Sequence, residues 1–191
     1  MAAVQIAPVA ARAGIAAGTV YRYFPSKTDL VAALVAAVSA HEIDALRRAA
    51  EAAPGSLSAV AAAIATFASR ALARRRLAWA VIGEPVDAQA DALRLVYRKT
   101  LTAEFQTRIE RAIRDGQLPA QDAHRSAAAA VGALLESLIG PLAPEATEVE
   151  PQPVQAIALF VLRGLGIPDA RARGLVASRT PENGGDVAAD A

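Results

Sequence analysis

Within one short stretch, from Ala17 to Lys27, the sequence places Thr19, Tyr21, Arg22, Tyr23 and Lys27. Hydroxyls, a guanidinium and an ammonium this close together suit contact with an anionic polymer. They can donate to phosphate oxygens, and a guanidinium can also read base edges. No catalytic grouping competes with them. There is no pair of carboxylates at a fixed spacing, no nucleophile elbow and no phosphate-binding loop. The absence of Cys removes a thiol nucleophile, a disulfide scaffold and a Cys-ligated zinc site. His41 and His124 are far apart, and neither has a second His at metal-ligand spacing on its helical face. We expect no metal, no cofactor and no enzymatic activity.

Such a set must be carried on a small rigid element. Two short apolar segments, Ile6–Ala13 and Ala17–Phe24, are joined through Gly14, which can enter a tight turn at positive φ. This is the layout of a helix-turn-helix. Ala10 is small enough for the two helices to approach closely. Val9, Ile15, Val20 and Phe24 are the expected apolar wedge between them. That leaves Ala17, Gly18, Thr19, Tyr21, Arg22 and Tyr23 as the outward set. Gln5 and Ala16 fall at the two N-cap positions, where both residue types cap poorly. Ser26-Lys-Thr-Asp29 reads as a capping box that opens a long helix, about Lys27–Ala53. Leu30, Leu34, Val38, Ile43 and Leu46 form its expected apolar face.

The run A-G-I-A-A-G-T-V-Y-R-Y-F-P-S-K resembles the recognition segment of TetR-family (TetR/AcrR-like) transcriptional regulators, with a match over roughly Val4–Ala45. The resemblance implies a two-part, all-α homodimer that binds a palindromic operator in double-stranded DNA and releases it when a small effector enters the C-terminal domain. It implies that Ala17, Gly18, Tyr21 and Arg22 face the major groove, and that Thr19, Tyr23 and Lys27 hold phosphates. The family has a helix ahead of this segment. Here Met1 stands almost at the helix-turn-helix, so that first helix is expected to be absent. The intact recognition segment favours a start assigned too late over a truncation or a degraded gene.

The composition agrees with an all-α chain. Of 191 residues 54% are hydrophobic, Ala supplies 50 residues, and aromatics are 4%. Ala is the strongest helix former, whereas sheets favour branched and aromatic side chains. A net charge of +1 gives no global attraction to nucleic acid, so any such binding is local. No basic segment precedes an apolar one at the start, and no apolar run approaches the roughly 20 residues of a bilayer span, so no membrane is expected. A cytoplasmic setting is the expectation.

The remaining helices follow from periodicity. Leu57, Val60, Ile64, Phe67 and Ala71 mark one after Ser56, and Leu77–Ile82 is a short one ended by Gly83. Leu93, Tyr97, Leu101, Phe105, Ile109 and Ile113 form an unbroken i+4 stripe. Asp122–Leu142 and Val154–Leu165 follow, joined by the Pro/Glu-rich stretch Glu145–Pro153. Arg74, Arg75 and Arg76 are read as solvated charges at a helix end. Trp79, Tyr97, Leu101 and Phe105, with Glu84 as a polar partner, are candidates to line an effector pocket, and ordinary core is the alternative for them. Val131, Leu134, Leu135, Leu138 and Ile139, with Ile157, Phe160 and Val161, are expected to form a four-helix subunit interface; burial within one chain is the alternative. The expected divisions are a DNA-binding head at 1–46, with its helix-turn-helix at about 5–24, a ligand-binding and dimerising region at 47–167, and a disordered tail at 168–191. A second reading keeps the helices and drops the DNA: a ligand-binding or dimerising protein that lost DNA binding with the missing first helix.

Overall fold

The computed structural model describes residues 5–84, 88–146 and 152–178. The described residues form helices and no strand. Helices α1 (Ile6–Arg12) and α2 (Ala17–Tyr23) make the head, together with the first turns of α3 (Lys27–Glu51). Gly14 takes φ +68° between α1 and α2, as the turn requires. Neither Gln5 nor Ala16 makes a side-chain cap. By contrast, Ser26 and Asp29 form the full capping box: each side chain takes up the other's backbone N–H, at 3.1 and 3.0 Å.

The small core of the head departs from the expected wedge. Ile6, Ala10 and Val20 are buried, with Ala17, Phe24 and Leu30 packed against them. Val9 and Ile15 are exposed instead. On a helix as short as α1 a single face is available, and Ile6 and Ala10, four residues apart, occupy it. Along α3 Ile43 and Leu46 are buried as expected, but in the first half of the helix Val31 and Val35 are buried, one step round from the expected Leu30–Leu34–Val38 line, and Leu34 is exposed. Leu30 turns to the head cluster and Val38 to the larger core, so α3 serves two cores along its length.

The body contains α4 (Ser56–Ala73), α5 (Arg75–Ile82), α6 (Ala88–Arg114), α7 (Ala123–Leu142), α8 (Pro153–Gly164) and α9 (Asp169–Ala177). α4 is its centre: it packs against α3, α6, α7 and α8. Its run Val60–Ile64 is almost entirely shielded. α4 is long and apolar enough to cross a membrane by composition, and here it is the central core helix. The α6 stripe Tyr97, Leu101, Phe105 and Ile109 is buried as the periodicity predicts. Each such side chain contributes about 1.5–3 kcal/mol by leaving water.

Polar bridges fix α3 against the body. Glu104 on α6 accepts from Arg47 Nε at 2.9 Å and from Arg108 Nη1 at 2.9 Å. Burial alone raises the Glu104 carboxyl, but the hydrogen bonds from Arg47 and Arg108 outweigh it and hold the carboxyl below its ordinary value.

The chain after Pro168 departs from the expected tail. Asp169–Ala177 is a helix whose Ala172 is fully buried and whose Leu175 and Val176 pack on the body. Its Ala- and Arg-rich sequence hides this, because Ala172 presents too little apolar surface to mark a periodic face. The rest of that stretch, 179–191, lies outside the described residues, as does 147–151 of the loop before α8.

Candidate nucleic-acid interface and effector cavity

On α2 one face is packed and the other is open. Val20 is buried, and Phe24 just beyond the helix is half-buried against the same cluster. Gly18, Tyr21, Arg22 and Tyr23 are exposed, the two tyrosines at 52% and 68%. Lys27, the first residue of α3, is also exposed. The Arg22 guanidinium lies 5.3 Å from the centroid of the Tyr23 ring, within cation–π range. Thr19 is half-buried. Ala17 is half-buried too, and packs against the head core rather than standing wholly outward. A Cβ added at Gly18 would meet nothing within 4 Å, so the chain's own packing does not require glycine there. The structure therefore brings the predicted set together on one exposed patch of about two helical turns, with Ala17 at its inner edge.

A cavity of about 30 Å³ opens between α3, α4, α5 and α6. Its apolar wall includes Val38, Phe67, Leu77, Val81 and Ile82. Tyr97 also lines it, and burial, then the nearby Glu42 carboxylate, push the Tyr97 phenol far above its usual range. The polar wall is an ion-paired cluster. Glu42 accepts from Arg70 Nε at 2.6 Å and Nη2 at 3.0 Å, and Arg74 Nη1 lies 3.9 Å from the same carboxylate. Tyr97 is the one residue of the expected pocket set that reaches this cavity. Leu101 and Phe105 are sealed in the core. Glu84 is half-buried beyond the end of α5 and is not among the lining residues. Trp79 lines a separate crevice with Arg75, Arg76 and Leu142, where Arg75 donates to the carbonyls of Ala143 and Ala146 at 3.4 Å each. The Trp79 ring covers Gly83 so closely that a Cβ there would sit 2.5 Å from it.

Residues 1–34 match the model of a family described as bacterial regulatory proteins, tetR family. The head is thus similar to that family over 34 of the chain's 191 residues. No curated protein matches the sequence. Among solved structures, RolR in complex with the ligand resorcinol superposes with TM-score 0.70 at 20% identity, over 94% of this chain and 86% of that one. RolR without ligand gives 0.68 at 19% identity, over 92% and 86%. The TetR-family transcriptional regulator PfmR from Thermus thermophilus gives 0.62 at 12% identity, over 86% and 88%. At such identities these likenesses establish the fold: the chain shares the all-α architecture of these proteins.

In this TetR-type body the face expected to meet a partner subunit is largely turned inward. Val131, Leu134, Leu135, Leu138, Ile157 and Val161 are buried within the chain itself, and Ile139 is half-buried. They are the apolar side of α7 and α8 that closes the core against α4 and α6. Periodicity identifies an apolar face and not which neighbour covers it. Of the expected set Phe160 is exposed, at 63%, and the other outward positions are Ala129, Gly132, Glu136 and Gly140 on α7 and Ala156 and Gly164 on α8. Sequence reasoning also missed Glu42 and Arg70. The available signal was the i,i+4 spacing of Arg70 and Arg74, which sets two guanidiniums on one side of an otherwise apolar helix.

Proposed function

We propose that this chain is an effector-responsive repressor that binds a palindromic operator as a homodimer, in the cytoplasm, and has no enzymatic role. The observation that carries the reading is the exposed patch Gly18, Tyr21, Arg22, Tyr23 and Lys27 on the TetR-family head. Arg22 and Tyr21 would meet base edges, and Ala17 and Gly18 would let the backbone come close. Thr19, Tyr23 and Lys27 would donate to phosphates. Gly18 supports close approach because no contact among the described residues accounts for it.

Dimerisation is proposed through the outward faces of α7 and α8. Gly132 and Gly140 lie inside α7, where glycine costs about 1 kcal/mol each relative to alanine. A Cβ at either would meet nothing in this chain. A second pair of helices packed against them supplies the reason, with Phe160 as the large apolar anchor.

α3 connects the two activities. Leu30 packs on the head core, while Val38 and Glu42 line the cavity. From Lys27 to Glu42 one continuous helix runs roughly 22 Å. A molecule entering the cavity and displacing α3 would therefore move the recognition helix. Two such helices must sit about one turn of B-DNA apart, roughly 34–36 Å or a multiple of it. An effector that binds the misaligned spacing better shifts the population off the operator. RolR, solved with resorcinol, is a precedent in this fold for a small-molecule ligand.

Selection of binding sites from random duplexes by the full chain tests the reading. The expected product is an inverted repeat with half-sites one helical turn apart, protected over both halves in footprinting. Enrichment of no sequence, with the chain folded, would favour the non-DNA-binding alternative.

A further inference from the structure

The charge arrangement in the cavity goes beyond the need for a pocket. One carboxylate, Glu42 on α3, faces two guanidiniums, Arg70 on α4 and Arg74 at the junction of α4 and α5. These three are the charged members of the lining, and the remainder is mostly aliphatic and aromatic. Among these three the balance is one positive charge. At about 30 Å³ the cavity has room for about two waters, so a larger occupant must part its walls. A polar fastening between those walls is the Glu42–Arg70 pair, with 27% of the Arg70 and 16% of the Glu42 side chain exposed.

We propose that the effector is a small amphipathic monoanion whose carboxylate, or an equivalent group, takes Arg70 and Arg74 over from Glu42 and so unfastens α3 from α4. This rests on the reading of the cavity as the effector site. The argument is one of substitution. A neutral molecule that parts the pair leaves partly buried charges with weaker partners, which is strongly unfavourable. A cation meets two guanidiniums. An anion replaces a carboxylate with a carboxylate, in the bidentate geometry that guanidinium favours. The displaced Glu42, 16% of whose side chain is already exposed, turns to water. Its helix is then held by one fastening fewer on the way to the head.

The test uses the full chain and the fluorescence of Trp79, its one tryptophan, on α5 beside the cavity-lining Ala78. The probes are phenylacetate, its neutral analogue 2-phenylethanol and its cationic analogue 2-phenylethylamine. Phenylacetate is expected to bind about tenfold or more tightly than the alcohol, and the amine more weakly than either. Glu42→Gln removes the internal competitor. It should raise phenylacetate affinity about tenfold and leave the alcohol within about threefold. Should Glu42→Gln fail to fold, Arg74→Gln keeps the Glu42–Arg70 pair and should weaken phenylacetate alone. Equal binding of acid and alcohol overturns the proposal, as does a shift of all probes alike in either variant, or binding of none. Release from the selected DNA separates the two readings. Phenylacetate that binds with this selectivity but leaves DNA bound supports the anion site and overturns the effector reading. Release by the alcohol as readily as by the acid does the reverse.

Discussion

The head and the body hold their information in opposite places. The head buries little: Ile6, Ala10 and Val20 form its core, and its exposed side chains are the ones that resemble a known family. The body buries a continuous core across α3 to α9, and its distinctive chemistry, Glu42 with Arg70 and Arg74, is inside. A surface that must fit DNA restricts which residue stands where, because each side chain meets a fixed donor and acceptor pattern. A core requires only apolar side chains of suitable volume, and many sequences satisfy that. The family match accordingly stops at residue 34, while the body is related to RolR and PfmR through shape, at 12–20% identity. A core as small as that of the head is also weak alone, so the head depends on α3 and its capping box for its position.

The largest expected effect separates the inner and outer faces of the body. Leu138→Glu places a carboxylate at a position with no exposure. Losing the leucine costs about 2–5 kcal/mol and the unpaired charge adds to it, so the chain should unfold or aggregate. Phe160→Glu changes a residue that is 63% exposed in one chain. It should leave helicity and melting cooperativity intact and yield a monomer by sedimentation velocity. A folded Leu138→Glu chain would mean that α7 is turned the other way. A Phe160→Glu chain that remains dimeric would place the subunit interface elsewhere.

The same contrast explains what was legible in the sequence. The helix-turn-helix, the Gly14 turn and the Ser26–Asp29 capping box were readable because local chemistry determines them. The α6 stripe was readable because four successive large side chains fall on one face. Three things were not. The position of Val9 depends on which of two adjacent faces of a two-turn helix meets α2. The inward turn of Val131 and Leu138 depends on which neighbour arrives first. The Glu42–Arg70 pair joins residues on two helices, and no periodicity links them.

A middle-sized effect sharpens the comparison from the side of the head. Arg22→Ala removes the exposed guanidinium that rests beside Tyr23. A lost bidentate base contact should cost about 1–3 kcal/mol at one position of the selected operator and relax preference there. The melting temperature should stay put. Binding titrations on the operator and on a scrambled duplex measure the difference. An equal loss on both would make Arg22 a phosphate contact.

The smallest expected effect is the most diagnostic of a surface made for a partner. Lys27 is the first residue of α3, where the helix dipole presents partial positive charge and a cation is disfavoured by about 0.3–1 kcal/mol. Asp29 in the same turn suits the dipole; Lys27 does not. Lys27→Ala should weaken binding to operator and random DNA alike. Each phosphate contact removed changes the slope of log affinity against log salt by about 0.9 per contact in B-DNA. In the proposed dimer both copies change, so the slope should flatten by about twice that. Titrations at a series of salt concentrations provide the measurement. An unchanged slope with a lowered melting temperature would assign Lys27 to the fold and remove it from the interface.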